Sequence, residues 1–301
     1  MAEFAVLLMA YGGPSSLGDV EPYLLDVRGG RPTSPELVAE VRHRYEVIGG
    51  RSPILPITQA QGAALAGELG VPVYTGMRHW HPYIADAVAQ IVADHHRRLV
   101  AIVMAPHYST MSVGAYEKAL LKAAGARIDI ALVRSWGQHP LFLGVVAAHL
   151  TQALQRFPDA SAVTVVFTAH SLPRRILAAG DAYPDQLQAS AAAVAGKLGL
   201  SSWELAYQSA GATSGPWLGP DAGEVLARLA AEGRRNFVIA PIGFVCDHVE
   251  ILYDVDVAYQ AVARRLGVRL ERMRSLNEDS MLIACLADLA RTEAAQRGWV
   301  D

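Results

Sequence analysis

What the 301-residue sequence has little of narrows its chemistry first. It carries two cysteines, Cys246 and Cys285, and no CxxC pair, which argues against a zinc ribbon or a cysteine-ligated iron–sulfur cluster and fits a reducing compartment. Charge of one sign is also lacking. Its 26 basic residues face 29 acidic ones, and the basic residues are scattered through helical segments, so no nucleic-acid partner is expected. Every apolar run is too short to span a bilayer, and the first, starting at Phe4, has no basic segment ahead of it. A cytoplasmic protein with no integral membrane segment is expected. Cofactor fingerprints are missing as well. The glycines of "LLMAYGGP" do not form GxGxxG and are followed at once by Pro14, and neither GxxxxGK[ST] nor GxSxG occurs. Those absences set aside dinucleotide binding, P-loop chemistry and the nucleophile elbow of α/β-hydrolases.

What is present is alternation. Short runs rich in Val, Ile and Leu ("FAVLLMAYG", "VPVYTGMRH", "LVAIVMAPH", "IDIALVRSW", "AVTVVFTAH", "WELAYQSA", "NFVIAPIGFV", "VRLERMRSL") read as strands. Most are separated by amphipathic stretches such as "PELVAEVRHRYEVIG", "LGVVAAHLTQALQRF" and "EILYDVDVAYQAVARRLG". Continuously apolar strands, each followed by a helix, predict parallel sheets covered on both faces. Four strands precede residue 150 and four follow it. The reading is therefore an α/β protein of two similar halves, 1–150 and 151–301, divided in a helix near residue 150, with the C-terminal helix packing back on the first half. The third strands of the two halves, "RRLVAIVMAPH" and "RRNFVIAPIGF", echo one another.

Ligands of such sheets bind beyond the carboxyl ends of the strands, above all in the crevice between halves. Tyr11, His107, His170 and the "CDHVE" segment all follow strands there. A histidine placed as in "VVFTAHSLP" serves as a structural loop cap as readily as a catalytic group. "PIGFVCDHVEILYDVD" adds weight, because Asp247, Glu250, Asp254 and Asp256 put four carboxylates within ten residues, more than helix capping requires. Imidazole and carboxylate without thiolate form a ligand set for a divalent transition metal such as Fe2+, and the same groups move protons near neutrality. "YQSAGATSGPWLGP" reads as a long irregular loop in which Trp217 either packs over a core edge or offers a wall to a flat ligand. In the first half Arg28, Arg31, Arg44, Tyr45, Arg51 and Ser52 lie beside glycine loops. Singly, such arginines decorate helix surfaces; clustered, they pair with several carboxylates of one anionic ligand.

Seven blocks, "MAYGGP", "YEVIGGRSPI", "APHYST", "FTAHSLP", "YPDQ", "YQSAGATSGPWLGP" and "PIGFVCDHVEILYDVD", in this order over nearly the whole chain, resemble the ferrochelatase family. The resemblance implies two flavodoxin-like lobes in the chelatase fold, each a four-stranded parallel sheet flanked by helices, and insertion of Fe2+ into a porphyrin in haem biosynthesis. Tyr11 is similar to the tyrosine that bacterial coproporphyrin III ferrochelatases carry where protoporphyrin-using relatives commonly have methionine. By the same resemblance His170 and Glu250 match the catalytic, metal-binding pair. Tyr11 matches an axial iron ligand, and Arg28, Arg44, Tyr45, Ser52 and Tyr116 match contacts to the macrocycle and its propionates, with Trp217 as a wall. The implied substrates are coproporphyrin III and Fe2+, with no tightly bound cofactor, in a monomer that makes transient contact with a coproheme decarboxylase. Ala258 stands where some members carry a further glutamate, which argues against a second metal site. No cysteine-rich tail follows "TEAAQRGWVD", so a [2Fe–2S] cluster is not expected. The alternatives are a protoporphyrin IX ferrochelatase, another tetrapyrrole metal chelatase, or a haem-binding carrier, which has no use for His170 with Glu250.

Overall fold

The computed structural model describes residues 4–211 and 215–300. The eight apolar runs form eight strands in two all-parallel sheets. In the first, β1 (Ala5–Ala10), β2 (Val73–Met77), β3 (Arg98–Val103) and β4 (Asp129–Val133) lie in the order β2–β1–β3–β4. In the second, β5 (Val163–His170), β6 (Trp203–Gln208), β7 (Asn236–Ala240) and β8 (Arg269–Arg272) repeat it as β6–β5–β7–β8. β1 is buried along its whole length, as a strand with neighbours on both edges and helices on both faces must be.

The helices of the first half are α1 (Val20–Val27), α2 (Pro35–Val47), α3 (Ile54–Leu69), α4 (Ile84–Ala93) and α5 (Val113–Ala124). Helix α6 (Pro140–Leu154) carries the chain to the second half, whose helices are α7 (Arg175–Ala178), α8 (Tyr183–Leu198), α9 (Ala222–Ala231), α10 (Gln260–Leu266) and α11 (Ser280–Gln296). Among the described residues no helix is long and apolar enough to cross a membrane. Helix α11 returns to the first half: Arg291 donates to the Glu68 carbonyl at 3.0 Å, and Arg297 to the Ile130 carbonyl at 2.8 Å. One buried apolar cluster accordingly runs from Val6 and Leu8 through Phe142 to Val165, Phe167 and Leu282.

The register makes the two sheets superposable residue by residue. Arg98 of β3 faces Asp129, and Asn236 of β7 faces Arg269; one step on, Leu99 faces Ala5 and Phe237 faces Thr164. Six further positions along the chain lead to Tyr11 in one half (5 + 6) and His170 in the other (164 + 6). Those two residues, picked out separately in the sequence, occupy equivalent places.

A polar seam led by α8 fixes the halves together. Asp181 Oδ2 accepts from Thr110 N at 2.8 Å, Thr110 Oγ1 at 2.8 Å and Ser109 Oγ at 3.0 Å, while Oδ1 accepts from Tyr183 N at 3.1 Å. Gln186 Oε1 accepts from Tyr108 N, and Ser190 Oγ meets His107 Nε2 at 2.9 Å. Burial alone raises the Asp181 pKa, but these donors outweigh it and hold the carboxyl below its usual range. A group whose folded pKa is depressed contributes stability that is present above its unfolded pKa and lost as pH falls through the folded value. Asp181→Ala is therefore expected to cost about 2–3 kcal/mol at pH 7 by stranding the buried Ser109 hydroxyl and the Thr110 donors. In urea unfolding the gap between variant and parent should hold down to about pH 4 and close below it.

Candidate active site

The crevice beyond the carboxyl ends of the strands is built outward from β5. Its first seven residues are buried, and His170, the last, emerges half-buried at the rim. Tyr183 OH donates to the His170 carbonyl at 3.0 Å, and the next residue is pinned on both sides: Ser171 N donates to the Gln208 carbonyl and Ser171 Oγ to the Leu218 carbonyl. The imidazole thus stands on a fixed backbone.

Its partner arrives over the end of β7. At Gly243 the chain crosses the end of β5 so closely that a Cβ there would lie 2.5 Å from Ala169 Cβ and 2.9 Å from Ala169 Cα, so glycine alone permits the crossing. The crossing delivers Glu250 to the start of a π-helical segment, Glu250–Tyr259, with Glu250 Oε2 2.8 Å from His170 Nδ1. Such wide turns re-aim side chains and recur at functional sites. Gln208 Nε2 donates to the Glu250 carbonyl at 2.7 Å, and Gln208 Oε1 accepts from Thr168 Oγ1 at 2.7 Å, which sets the amide and with it the helix start. Ser209 sits at φ 59°, a left-handed conformation that costs a non-glycine residue energy. That backbone places its hydroxyl to donate to Asp254 beside Glu250.

Burial disfavours a charged His170, yet the Glu250 carboxylate outweighs it and raises the imidazole pKa. Burial likewise works against the Glu250 carboxylate, and His170 outweighs it and lowers that pKa. The carboxylate thus makes His170 a stronger proton acceptor than a free imidazole. The four acids of "CDHVEILYDVD" divide by face. Asp247 and Asp256 turn away to Arg272, the latter bidentately at 2.7 and 2.9 Å, while Glu250 and Asp254 face the crevice. Among the described residues no three His, Cys, Asp or Glu side chains converge, so the donor set at His170 is a pair.

Opposite stands Tyr11, the first residue beyond β1. Its ring lies 4.7 Å from that of His79, whose Nδ1 is 2.7 Å from Asp26 Oδ1. Burial pushes the phenol up to about 12; Arg78 opposes this, and the carboxylates of Glu250 and Asp26 add to it. Tyr11 is therefore a neutral phenol at pH 7. The loop after it turns at Gly12, φ 91°, and rests on two of the other predicted residues. A Cβ on Gly13 would stand 2.5 Å from Ser52 Oγ and 3.4 Å from Tyr45 OH. Tyr45 and Ser52 are buried under this loop and brace it. Tyr116 is buried too, on α5, with the Arg78 guanidinium 5.5 Å above its ring.

The two predicted arginines share one feature: the Nε atoms of Arg28 and Arg44 are buried and have no hydrogen-bond partner. Arg28 ends α1, and Arg44, on α2, reaches across to Asp254 of the second half at 3.5 Å. Trp217 packs on Gly211, where a Cβ would stand 2.7 Å from the indole Cη2. Its segment runs antiparallel to the one that leaves His170, with Leu218 N donating to the Leu172 carbonyl and Arg174 N to the Pro216 carbonyl. His107, also flagged at a strand end, lies instead in the seam, where burial lowers its pKa to about 3.

Sequence reasoning passed over Arg78, His79, Asp26, Gln208 and Ser209. The signal for the first two was available, because "RHW" follows β2 at the carboxyl end of the strand adjacent to β1.

Comparison with known proteins bears on this geometry. The family model described as Ferrochelatase matches residues 3–294. The ferrochelatase of Herpetosiphon aurantiacus is 44% identical over 296 residues, covering 95% of this chain and 97% of that one. The coproporphyrin III ferrochelatase of Halalkalibacterium halodurans is 36% identical over 307 residues, covering 98% of each. Among solved structures, SirB from Bacillus subtilis with Fe3+ superposes with a TM-score of 0.66 at 10% identity, over 99% of this chain and 98% of that one, which is a likeness of fold.

Proposed function

The chain belongs to the ferrochelatase family, enzymes of haem biosynthesis that insert metal into porphyrin, and from that premise we propose that it inserts Fe2+ into coproporphyrin III to give Fe-coproporphyrin III. The observation that carries the reading is the His170–Glu250 pair at the end of one sheet, opposite Tyr11 at the equivalent end of the other. A free-base porphyrin holds two N–H protons that leave as the metal enters. The site therefore needs a proton acceptor aimed at the ring centre. The unprotonated His170 imidazole takes one proton, and Glu250, held on Nδ1, stabilises the imidazolium that forms; release of that proton to water from the half-exposed ring frees His170 to take the second. Because backbone and side-chain bonds already fix both groups, little reorganisation remains at the moment of transfer. Fe2+ is the second substrate, and imidazole with carboxylate suits it.

Support for coproporphyrin III comes from the carboxylates it carries, four propionates against two in protoporphyrin IX. Arg28 and Arg44 are guanidinium groups that suit such carboxylates, each with a buried Nε that has no hydrogen-bond partner, Tyr11 matches the coproporphyrin branch, and a relative at 36% identity bears that substrate in its name. In anaerobic incubation with Fe2+ and coproporphyrin III, porphyrin fluorescence should fall to completion at a rate proportional to protein. A haem carrier would leave the fluorescence decay at its uncatalysed rate, and that outcome would overturn the proposal.

A further inference from the structure

Arg44 is already occupied on both sides. Its NH2 donates to Glu40 Oε1 at 2.5 Å, and its NH1 lies 3.5 Å from Asp254 Oδ1. The guanidinium also sits 5.4 Å from the Tyr253 ring centroid, which steadies it from the π-helical side. Only Nε has no partner. A guanidinium grips a carboxylate bidentately through NH1 with NH2 or through Nε with NH2. Each of these forks includes a nitrogen that an internal carboxylate now holds. Asp254, for its part, is 9% exposed and accepts from Ser209, so it is a fixed carboxylate, set on the second half and facing a cation of the first.

We propose that Asp254 is an internal stand-in for a substrate carboxylate: porphyrin docking moves Arg44 from Asp254 to a propionate, and this exchange sets porphyrin affinity. The inference rests on the reading above that Arg44 meets a propionate. The ion pair between Arg44 and Asp254 joins α2 to the π-helical segment across the mouth of the crevice, so the exchange also unfastens the two lips. Part of the binding energy of the propionate that meets Arg44 is consumed in breaking a contact the protein already has. Removing the competitor's charge therefore strengthens binding, the reverse of what loss of a supporting residue does.

The test is equilibrium binding of metal-free coproporphyrin III, followed by porphyrin fluorescence in the presence of a chelator, to four variants of the full chain. Asp254→Asn, which keeps the shape and the acceptor for Ser209, is expected to tighten binding about three- to tenfold. Glu40→Gln, on an exposed helix surface where folding is not at risk, is expected to tighten it in the same direction by up to about threefold. Arg44→Gln is expected to weaken binding, and Asp254→Asn placed in that background should then have no further effect. If Arg44→Gln weakens binding while neither Asp254→Asn nor Glu40→Gln tightens it, the exchange is overturned and Asp254 serves only to align Arg44. Unchanged binding by Arg44→Gln overturns the propionate reading beneath it instead.

Discussion

His170→Ala is expected to slow Fe2+ insertion a hundredfold or more while coproporphyrin III still binds. The magnitude is that of losing a positioned general base, about 10²–10⁴ in rate. The imidazole touches Glu250 and stands at the rim, whereas the arginines lie on the other half, so deleting it leaves the rim contacts in place. Its backbone is held by Tyr183 and by the Ser171 bonds, none of which uses the ring, so the strand end should keep its shape. Because Glu250 and His170 act as one unit, Glu250→Gln in the His170→Ala background should add little to the loss. Single-turnover metallation under anaerobic conditions measures the step directly. Retention of more than about a tenth of the parent rate, roughly 1.4 kcal/mol of barrier, would overturn the role of His170 as proton acceptor.

How far such a site is legible in a sequence depends on which interactions build it. The sheets were legible because parallel strands buried on both faces must be apolar throughout; β1 and β5 meet that condition with no polar interruption other than Thr164 and Thr168. His170 and Tyr11 were legible because each follows directly on such a run. Helix α3 was not, since its buried residues include Thr58, Gln61 and Gly62, and it shows no clear apolar stripe to mark a face. The partition of the acids was also out of reach. Asp256 and Asp254 are two residues apart on one segment, yet one pairs with Arg272 and the other faces Arg44, and that division depends on the π-helical pitch and on β8 lying behind it. Local spacing carries no trace of partners 16 and 210 positions away (272 − 256, 254 − 44). Gly243 is a further case: its need for glycine arises from Ala169 on another strand, 74 residues earlier (243 − 169). Of the residues assigned to the porphyrin rim, Tyr45, Ser52 and Tyr116 are buried and brace the loop after Tyr11 or lie under Arg78, while Arg28 and Arg44 present donors.

That distribution sharpens the expected substrate preference: protoporphyrin IX should be metallated at least about a hundredfold less efficiently than coproporphyrin III at equal free concentration. Coproporphyrin III replaces the two vinyl groups of protoporphyrin IX with propionates, so it offers two more carboxylates to the rim. Two charge-assisted contacts at roughly 1.5 kcal/mol each amount to about 3 kcal/mol, or somewhat more than a hundredfold in kcat/KM. The estimate is the lower end of the range for such bonds, which is appropriate because Arg44 is partly exposed and must first leave Glu40 and Asp254. The Nε atoms of Arg28 and Arg44 are buried without a hydrogen-bond partner, a deficit that a propionate at the guanidinium can relieve and a vinyl group cannot. Discrimination should therefore arise as much from rejection of protoporphyrin IX as from attraction of coproporphyrin III. The measurement is kcat/KM for both porphyrins in detergent-matched assays, repeated with Arg28→Gln and Arg44→Gln. Each substitution should lower the coproporphyrin III value more than the protoporphyrin IX value and so shrink the ratio. Equal efficiency in the parent enzyme, or a preference for protoporphyrin IX, would reject coproporphyrin III as the substrate and leave porphyrin metallation standing.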